Sequence, residues 1–215
     1  TNGKTTIPPL LSHALSIPSA GNIGTPLISF VDQDFGSEWI AVEASSYQLY
    51  PCQTFRPEIA IMLPITDDHL SWHKEFKHYA NAKAKIFTAQ TPNDPLIYPL
   101  HCKIIESLLH NANSSRQPFS DTDPQVNRIQ TQLSGLHNKL NVLAARKAIE
   151  STGLMTKAIE DRLQSFTALP HRLEKISDHN SIRIYNDSKS TNPDSTIKAI
   201  ESFSTPIRLI LCGDD

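Results

Sequence analysis

Short apolar runs rich in β-branched residues alternate in this chain with segments of helical periodicity, and this alternation restricts the possible folds more than any other feature. The apolar runs predict buried strands, and they are "EWIAVEA" (38–44), "EIAIML" (58–63), "IRIYN" (182–186) and "IRLILCG" (207–213). The helical segments are 76–90, 138–152 and 192–203. Strands separated by helices indicate an α/β fold with a mostly parallel sheet flanked by helices.

Two stretches interrupt this alternation. Residues 110–131 are polar and follow neither a helical nor a strand period, so we predict a loop or irregular edge structure there. A second break falls at "TALPHRLEK" (167–175), after which another strand, loop, helix and strand are predicted. This second break is a candidate domain boundary.

Charge and composition exclude several functions. The 215 residues include 20 Lys and Arg and 22 Asp and Glu, a net charge of -2, which gives no basic field for nucleic acid. No apolar run approaches the roughly 18 to 20 residues of a membrane span. The three cysteines, Cys52, Cys102 and Cys212, are far apart and lack metal-binding spacing, which suits a reducing cytoplasm. We therefore expect a cytoplasmic protein that binds neither nucleic acid nor membrane.

The first residues, "TNGKTT", contain the Gly-Lys-Thr triplet of phosphate-binding loops. Gly3 would let the backbone approach a phosphate, Lys4 would contact the β- and γ-phosphates, and the Thr5 hydroxyl could ligate magnesium. Pro8 and Pro9 follow, and we expect them to make the first turns of the next helix irregular. Because the triplet is short, a solvated turn is the alternative.

Acidic and basic residues follow two of the predicted strands. Glu43 lies at the carboxyl end of "WIAVEA", where ligands bind in open α/β sheets, and could share a magnesium ion with Thr5. Asp67, Asp68 and His69 follow the strand 58–63, and Lys83 lies fourteen positions after His69 on a predicted helix. A strand-end carboxylate in solvent and a structural lysine are the alternatives.

Two further polar clusters occur later in the chain. "LSGLHNKLN" places Gly135, His137 and Asn138 at the start of a helix, where an asparagine caps the helix or binds an adenine edge. "PHRLE" and "IYNDSKSTNPDST" gather hydrogen-bonding residues at a strand-to-loop junction; these are Arg172, Asp187, Lys189 and Thr191. A polar turn with a helix cap is the alternative for this second cluster.

Taken in order, these segments resemble the Mur ligase family, the ATP-dependent enzymes that form amide bonds in bacterial cell-wall precursors. The resemblance covers nearly the whole chain. "EASSYQL" (43–49) and "NDSKSTN" (186–192) are similar to segments of the family member that adds D-glutamate. Members that add other amino acids, and folylpolyglutamate synthases, carry different residues in the second segment.

The resemblance implies a reaction and its ligands. The carboxylate of UDP-N-acetylmuramoyl-L-alanine would attack the γ-phosphate of ATP, and the amine of D-glutamate would attack the acyl phosphate that results. Two Mg²⁺ ions and a carbamate on the lysine that matches Lys83 would assist, and the protein would be a monomer.

The resemblance also implies roles for individual residues. Catalysis would involve Lys4, His69, Lys83 and Lys189, and the metals would be held by Thr5, Glu43, His69 and Lys83. ATP would be bound by Asn2, Gly3, Lys4, Thr5, Thr6, Asn138, Asn141, Arg172 and Asp187. The acceptor and the incoming amino acid would contact Asn22, Ser45, Lys189 and Thr191.

The resemblance finally implies a domain division. Residues 1–168 would form the central ATP-binding domain, lacking the first part of its phosphate loop, and 169–215 would begin a Rossmann-like C-terminal domain. The family's N-terminal domain for the uridine nucleotide is not in the sequence, so we expect the excerpt alone to be inactive. Two alternatives are a ligase for another amino acid, Mur or folylpolyglutamate type, and a relative that binds nucleotide without catalysis.

Overall fold

The structure, a computed structural model, describes residues 3–32, 34, 36–66, 70–191 and 193–211. Its helices are α1 (Ile7–Leu15), α2 (Ser46–Leu49), α3 (Leu70–His73), α4 (Phe76–Ala84), α5 (Lys103–Leu108), α6 (Leu136–Thr152), α7 (Lys157–Ser165) and α8 (Pro193–Ile200). Its strands are β1 (Ser19–Gly21), β2 (Ala41–Glu43), β3 (Ala60–Ile61), β4 (Pro95–Pro99), β5 (Ser115–Phe119), β6 (Glu174–His179) and β7 (Ile182–Asn186).

The strands form three small sheets within the described part of the chain. β1 and β2 pair in parallel, with Gly21 opposite Glu43. A second parallel sheet has the order β3-β4-β5. β6 and β7 form an antiparallel hairpin with a register irregularity between Lys175 and Ser177. The prediction of an α/β fold with parallel strands is confirmed, but the parallel strands lie in two separate sheets.

Helices pack on both faces of the β3-β4-β5 sheet. Side chains along each strand point alternately to the two faces, and both faces carry apolar residues. Ile97 of β4 faces a core built largely from α1, α6 and α7. Its neighbours Leu96 and Tyr98 face a second core built from α4 and α5. The result is a layered arrangement with one apolar core on each side of the sheet.

Helix α1 corrects the expectation about its prolines. Pro8 and Pro9 lie in the first turn, where backbone N–H groups have no partner inside a helix, so they remove no helical hydrogen bond. The amides of Ile7 and Leu10 donate to the carbonyls of Gly3 and Thr6, at 3.0 and 3.1 Å. The helix therefore starts regularly, directly after the Gly-Lys-Thr triplet.

Two further expectations about elements are wrong. The polar stretch 110–131 contains β5, a regular strand that pairs with β4 through its backbone although most of its side chains are exposed or half-buried. The apolar segment 207–211 is not a strand, and Ile210 is 89% exposed. A strand needs a neighbour to pair with, and the described residues place none beside this segment.

Among the residues with a described structure, no helix is long and apolar enough to cross a membrane.

Candidate functional site

The loop before α1 turns sharply at Gly3, which has a φ of +92°. A Cβ atom added at this position would lie 2.1 Å from Oδ1 of Asn141, far inside contact distance. Glycine is therefore required both by the backbone conformation and by the close approach of α6. The loop and α6 are in direct contact at this point.

Two asparagines of α6 extend this contact. Asn141 is buried among the apolar residues of the helix, and its Nδ2 donates to Oδ1 of Asn138 at 3.2 Å. Asn138 in turn donates to the carbonyl of Ser134 at 2.8 Å, in the loop before the helix. This chain of hydrogen bonds fixes both amide side chains at the start of α6.

Arg172 joins the loop to the later part of the chain. Its Nη2 donates to the Thr5 hydroxyl at 2.8 Å, across 167 positions of sequence. Burial lowers the pKa of Arg172, while the negative charges of Asp187 and Glu43 raise it. The guanidinium thus lies between the loop and two of the predicted acidic residues.

Asp187 is held in the turn after β7. Its Oδ1 accepts the backbone N–H of Leu173 at 3.0 Å, and its Oδ2 accepts the Ser190 hydroxyl. Its carboxylate borders a cleft of about 50 Å³ that we call the α6 cleft. The cleft is lined by Gly3, Thr6, Asn138, Asn141, Arg172, Asp187 and residues of α8.

Glu43 ends β2 as a buried carboxylate, only 4% exposed. Its Oε1 accepts a hydrogen bond from Nδ2 of Asn22 at 3.0 Å, and its backbone carbonyl accepts the Asn22 N–H at 2.8 Å. Within the described residues, no ion pair includes Glu43. Because a buried charge needs compensation, this carboxylate is suited to a cation or to a protonated partner.

Ser45 follows Glu43 and caps α2. Its hydroxyl accepts the N–H of Gln48 while Gln48 Oε1 accepts the N–H of Ser45, which is a capping box. The next residue, Ser46, is hydrogen-bonded at 2.9 Å to Nε2 of the buried His73. The N-terminal end of α2 is therefore fixed both by its cap and by His73.

Lys83 lies in α4 and is only 7% exposed. Its Nζ lies 5.0 Å from the centroid of the Tyr79 ring, one helical turn earlier. α4 packs against α2, the helix that begins beside Ser45. The prediction that Lys83 lies on a helix is confirmed, and the small residues Ala80, Ala82 and Ala84 of this helix are buried as well.

A cavity of about 320 Å³ opens between β2 and β3, and we call it the interstrand slot. Its walls come from α1, β2, β3 and α6 and include Leu11, Val42, Ile61 and Ala148. Lys4 and Glu43 also line it. The lysine of the triplet and the acid of β2 thus border the same space.

The structure brings many of the predicted site residues together. Gly3, Thr6, Asn138, Asn141, Arg172 and Asp187 share the α6 cleft, with Thr5 bonded to Arg172. Asn22 is bonded to Glu43. Lys189 and Thr191 are exposed beside Ser190, which lines the cleft. Asn2, Asp67, Asp68 and His69 lie outside the described residues, and the functional roles assigned to all these residues stay predictions.

Sequence reasoning missed part of the cleft wall. Lys198 and Ala199 of α8 line it, and nothing in their local sequence distinguishes them from other helical residues. His137 also lines it, and burial together with the positive charge of Lys198 lowers the pKa of its imidazole. From the sequence, His137 was placed at the start of this helix, but no role was assigned to it.

Taken together, the geometry suits an anion that bears phosphates. A loop with a glycine turn leads into the N-terminus of α1, where the helix dipole favours negative charge. The Arg172 guanidinium can make paired hydrogen bonds to phosphate oxygens, and two amide side chains offer donors and acceptors. No group of three or more potential metal-ligating side chains occurs in the described part of the chain.

Comparison with protein families shows that this chain belongs to a known family. The model of the Mur ligase middle domain matches residues 1–125. The UDP-N-acetylmuramoylalanine–D-glutamate ligase of Acidobacterium capsulatum is 37% identical over 100% of this chain and 53% of its own length. The enzyme of the same name from Bacillus subtilis is 33% identical over 100% of this chain and 53% of its own length. The chain thus spans about half the length of the curated relatives it matches.

A solved structure with the same fold is the MurF ligase from Thermotoga maritima in complex with ADP. It superposes with a TM-score of 0.73 at 15% identity, covering 94% of this chain and 55% of that one. At this level of identity, the likeness supports the fold alone.

Proposed function

Because the chain belongs to the Mur ligase family through its middle domain, we propose that it is the ATP-binding part of a UDP-N-acetylmuramoylalanine–D-glutamate ligase. The observation that carries the proposal is its 33 to 37% identity, over essentially all of its length, to curated enzymes of that name. The "EASSYQL" and "NDSKSTN" segments support the same member of the family.

The reaction has two steps. A carboxylate oxygen of UDP-N-acetylmuramoyl-L-alanine attacks the γ-phosphorus of ATP, the bond to the bridging oxygen breaks, and ADP leaves. The amine of D-glutamate then attacks the acyl carbon and loses a proton, and inorganic phosphate leaves as the amide forms. Both steps bring anions together, so the protein's task is to align groups and neutralise charge.

The residues of the phosphate loop and α6 cleft would bind ATP. Lys4 would contact the transferring phosphoryl group as a point charge, and the positive end of the α1 dipole would face the phosphates. Asn138 and Asn141 would hold the base, while Arg172 and Asp187 would contact the ribose and phosphates. The contact between Gly3 and Asn141 supports this arrangement, because it sets the loop directly against the helix that bears both asparagines.

The donor groups present fit magnesium. Mg²⁺ prefers a few hard oxygen ligands and keeps its waters, and the buried Glu43 carboxylate with the Thr5 hydroxyl would provide two such ligands beside the phosphates. His69 would serve a second ion. When bound, the metal would neutralise charge on the phosphoryl oxygens. Asn22 holds the Glu43 carboxylate in place for this role through its 3.0 Å hydrogen bond.

Lys83 would carry the carbamate that the family resemblance implies. A carbamate forms from a neutral amine, and a lysine with a pKa of about 10.4 is neutral only about 0.04% of the time at pH 7. Burial in general favours the neutral amine, and Lys83 is 7% exposed. The product is an anion with two oxygens, which suits a position that faces a metal.

The remaining parts of the proposal concern the whole enzyme. Residues 1–168 form its central domain, and 169–215 begin a Rossmann-like C-terminal domain that faces the acceptor through Lys189 and Thr191. Ser45 and Asn22 contact the muramoyl substrate. The full-length enzyme is a monomer, carries a uridine-nucleotide domain outside this chain, and acts in the cytoplasm.

The test is phosphate release by the full-length protein in the presence of ATP, Mg²⁺ and UDP-N-acetylmuramoyl-L-alanine. We expect release to require D-glutamate and to be absent with L-alanine, diaminopimelate or D-alanyl-D-alanine. Release with another amino acid would assign the chain to a different ligase. ATP binding without release in any combination would favour a relative that has kept the nucleotide site alone.

A further inference from the structure

The turn that carries Arg172 has two residues in an unfavourable backbone conformation. His171 and Leu173, on either side of Arg172, have φ values of +65° and +46°. Residues with a Cβ adopt this left-handed region at a cost, so surrounding contacts have to hold both residues there. The same turn directs Nη2 of Arg172 to the Thr5 hydroxyl. The position of this guanidinium therefore depends on the contacts that stabilise the turn.

Glu174 supplies one of these contacts. Its Oε2 accepts the backbone N–H of His171 at 2.8 Å and lies 3.8 Å from Nδ1 of the same residue. Asn186 lies directly opposite Glu174 in the β6-β7 hairpin, and its Nδ2 is within hydrogen-bond distance of the same Nδ1, at 2.7 Å. The two residues at the open end of the hairpin, one from each strand, thus both contact His171.

A second turn, after β7, is bonded to the first. The N–H of Lys189 in this second turn donates to the His171 carbonyl at 3.1 Å. In the other direction, the N–H of Leu173 donates to Oδ1 of Asp187 at 3.0 Å. The two turns are therefore joined at both left-handed residues. We call this connected group the hairpin clasp; its members are His171, Leu173, Glu174, Asn186, Asp187 and Lys189.

The hairpin clasp links two residues that have different proposed tasks. Arg172, in the first turn, is proposed to contact the nucleotide, and Lys189, in the second, is proposed to face the incoming amino acid. Because the two turns share a hydrogen bond at His171, a shift of the first turn would displace the second. Within the described residues, Glu174 has no hydrogen bond or ion pair with Arg172 or Lys189, so it acts on them through the backbone of His171.

We propose that Glu174 is a positioning residue of the ligase: its carboxylate holds the left-handed turn at His171 and thereby places Arg172 and Lys189 together. This inference rests on the proposed function, in which Arg172 binds ATP and Lys189 faces D-glutamate. The Glu174 side chain is 38% exposed and belongs to neither apolar core. Its removal therefore leaves both cores intact and acts on the turn.

The first test removes the acceptor oxygen in the full-length ligase. Glu174→Ala loses the hydrogen bond to the His171 N–H, whereas Glu174→Gln keeps an acceptor oxygen of the same reach. We expect Glu174→Ala to weaken binding of a non-hydrolysable ATP analogue at least tenfold, measured by isothermal titration. Glu174→Gln should bind it within about threefold of the original protein. Asp178→Asn is the matched control, because Asp178 is an exposed carboxylate of the same strand that pairs with Lys175.

Steady-state kinetics separates positioning from a loss of folded protein. A fraction of unfolded enzyme would lower the apparent kcat and leave every KM unchanged. We expect Glu174→Ala to raise the KM for ATP and the KM for D-glutamate at least fivefold each. The KM for UDP-N-acetylmuramoyl-L-alanine, whose proposed contacts are Asn22 and Ser45, should stay within about twofold of the original.

Amide hydrogen exchange gives a measurement that needs no ligand. The rates of single amides are followed by mass spectrometry with fragmentation, and circular dichroism checks that each variant folds. In Glu174→Ala we expect the Lys189 amide, which donates to the His171 carbonyl from the other turn, to exchange at least fivefold faster. Asn186→Ala removes the second contact to His171 and should act in the same direction, so it decides the question should Glu174→Ala not fold. Asp178→Asn should keep the original rate.

Three outcomes would overturn the inference. The first is unchanged affinity for the ATP analogue in both Glu174→Ala and Asn186→Ala. The second is an equal loss of affinity in Glu174→Gln and Glu174→Ala, and the third is an unchanged exchange rate of the Lys189 amide. The exchange measurement does not require catalysis. If phosphate release fails while Lys189 exchange accelerates as expected, the proposed reaction is wrong and the positioning role of Glu174 stands.

Discussion

At the scale of single residues, the contact between Gly3 and Asn141 fixes the geometry of the site. From the sequence, we predicted that Gly3 lets the backbone approach a phosphate. It could not predict that an asparagine 138 positions away would fill the space where a Cβ would be. Contacts between distant residues depend on how helices pack, and local patterns carry no information about that.

Substituting Gly3 tests this contact. In Gly3→Ala we expect ATP affinity to fall at least tenfold, because the added Cβ would clash with Asn141 and the backbone has a φ of +92°. Gly24→Ala is the matched control, since Gly24 also has a positive φ but has no atom within 4 Å of the added Cβ. Isothermal titration with an ATP analogue measures both. Equal affinities for the two variants would contradict a role for the contact.

The burial of His137 leads us to predict that stability depends on pH. Burial lowers its pKa in the folded state, so below about pH 6.5 the unfolded chain binds a proton that the folded chain does not. The folded state therefore loses stability as the pH falls through that range. We expect His137→Gln to reduce this loss, measured as the difference in urea midpoint between pH 7.5 and pH 5.5. His179→Gln, at an exposed histidine, is the control and should keep the slope of the original protein.

The proposed carbamate on Lys83 leads us to predict that an added carboxylic acid partly restores the activity of a Lys83 variant. In the full-length ligase we expect Lys83→Ala to abolish turnover, added bicarbonate to restore none, and a short-chain carboxylic acid to restore part of it. Carbon-13 NMR with labelled bicarbonate should show a carbamate signal in the original protein and not in the variant. The control is Lys77→Ala, at an exposed lysine of the same helix. Normal turnover by Lys83→Ala would remove the proposed role.

At the scale of elements, the sequence predicted those whose residues carry their own pattern. The strands at 41–43 and 182–186 and the helix at 136–152 form where their patterns predict them. The predicted burial of 182–186 is wrong, because Ile182 and Ile184 of this hairpin strand are exposed. β5 could not be predicted in this way because its partner, β4, determines it. The segment 207–211 shows the opposite case, since a strong strand pattern forms no strand without a neighbouring edge.

The start of β4 is fixed by an ion pair that predicts an acid effect. Asp94 accepts from Nε and Nη2 of Arg56 at 2.7 and 3.0 Å and from the N–H of Thr91, and these hydrogen bonds hold the pKa of its carboxyl well below the usual value. Its contribution to stability is present above about pH 4 and is lost as the pH falls further. We expect Asp94→Asn to be less stable at pH 7 and to lose less stability below pH 4. Acid titration followed by circular dichroism measures this, with Asp121→Asn as the exposed control.

At the scale of the whole molecule, the parts that meet at the α6 cleft come from both ends of the chain. The cleft has about 50 Å³, whereas pockets for ligands of nucleotide size usually have several hundred. Residues of α8 form one of its walls. If the nucleotide binds in this cleft as proposed, we expect the segment after Arg172 to move away from the loop and α6.

This arrangement leads to a prediction for the isolated chain. We expect the 215-residue protein to form no amide product with ATP, UDP-N-acetylmuramoyl-L-alanine and D-glutamate, since the relatives that it matches are about twice as long. Chromatography of labelled D-glutamate products measures this, with the full-length ligase as the positive control. Turnover by the isolated chain at the full-length rate would contradict the proposed division into domains.

The hydrogen bond between Thr5 and Arg172 has one further consequence. If the Thr5 oxygen ligates a doubly charged cation, a guanidinium 2.8 Å away is repelled, and its nearest new partner is the anion that arrives with that cation. Binding of the cation and its anion would then replace the hydrogen bond between Thr5 and Arg172, so that Thr5 contacts the cation and Arg172 contacts the anion. Ligand binding at the phosphate loop would therefore also break the hydrogen bond that links the loop to the segment around Arg172. Ligand binding and movement of that segment would then be coupled.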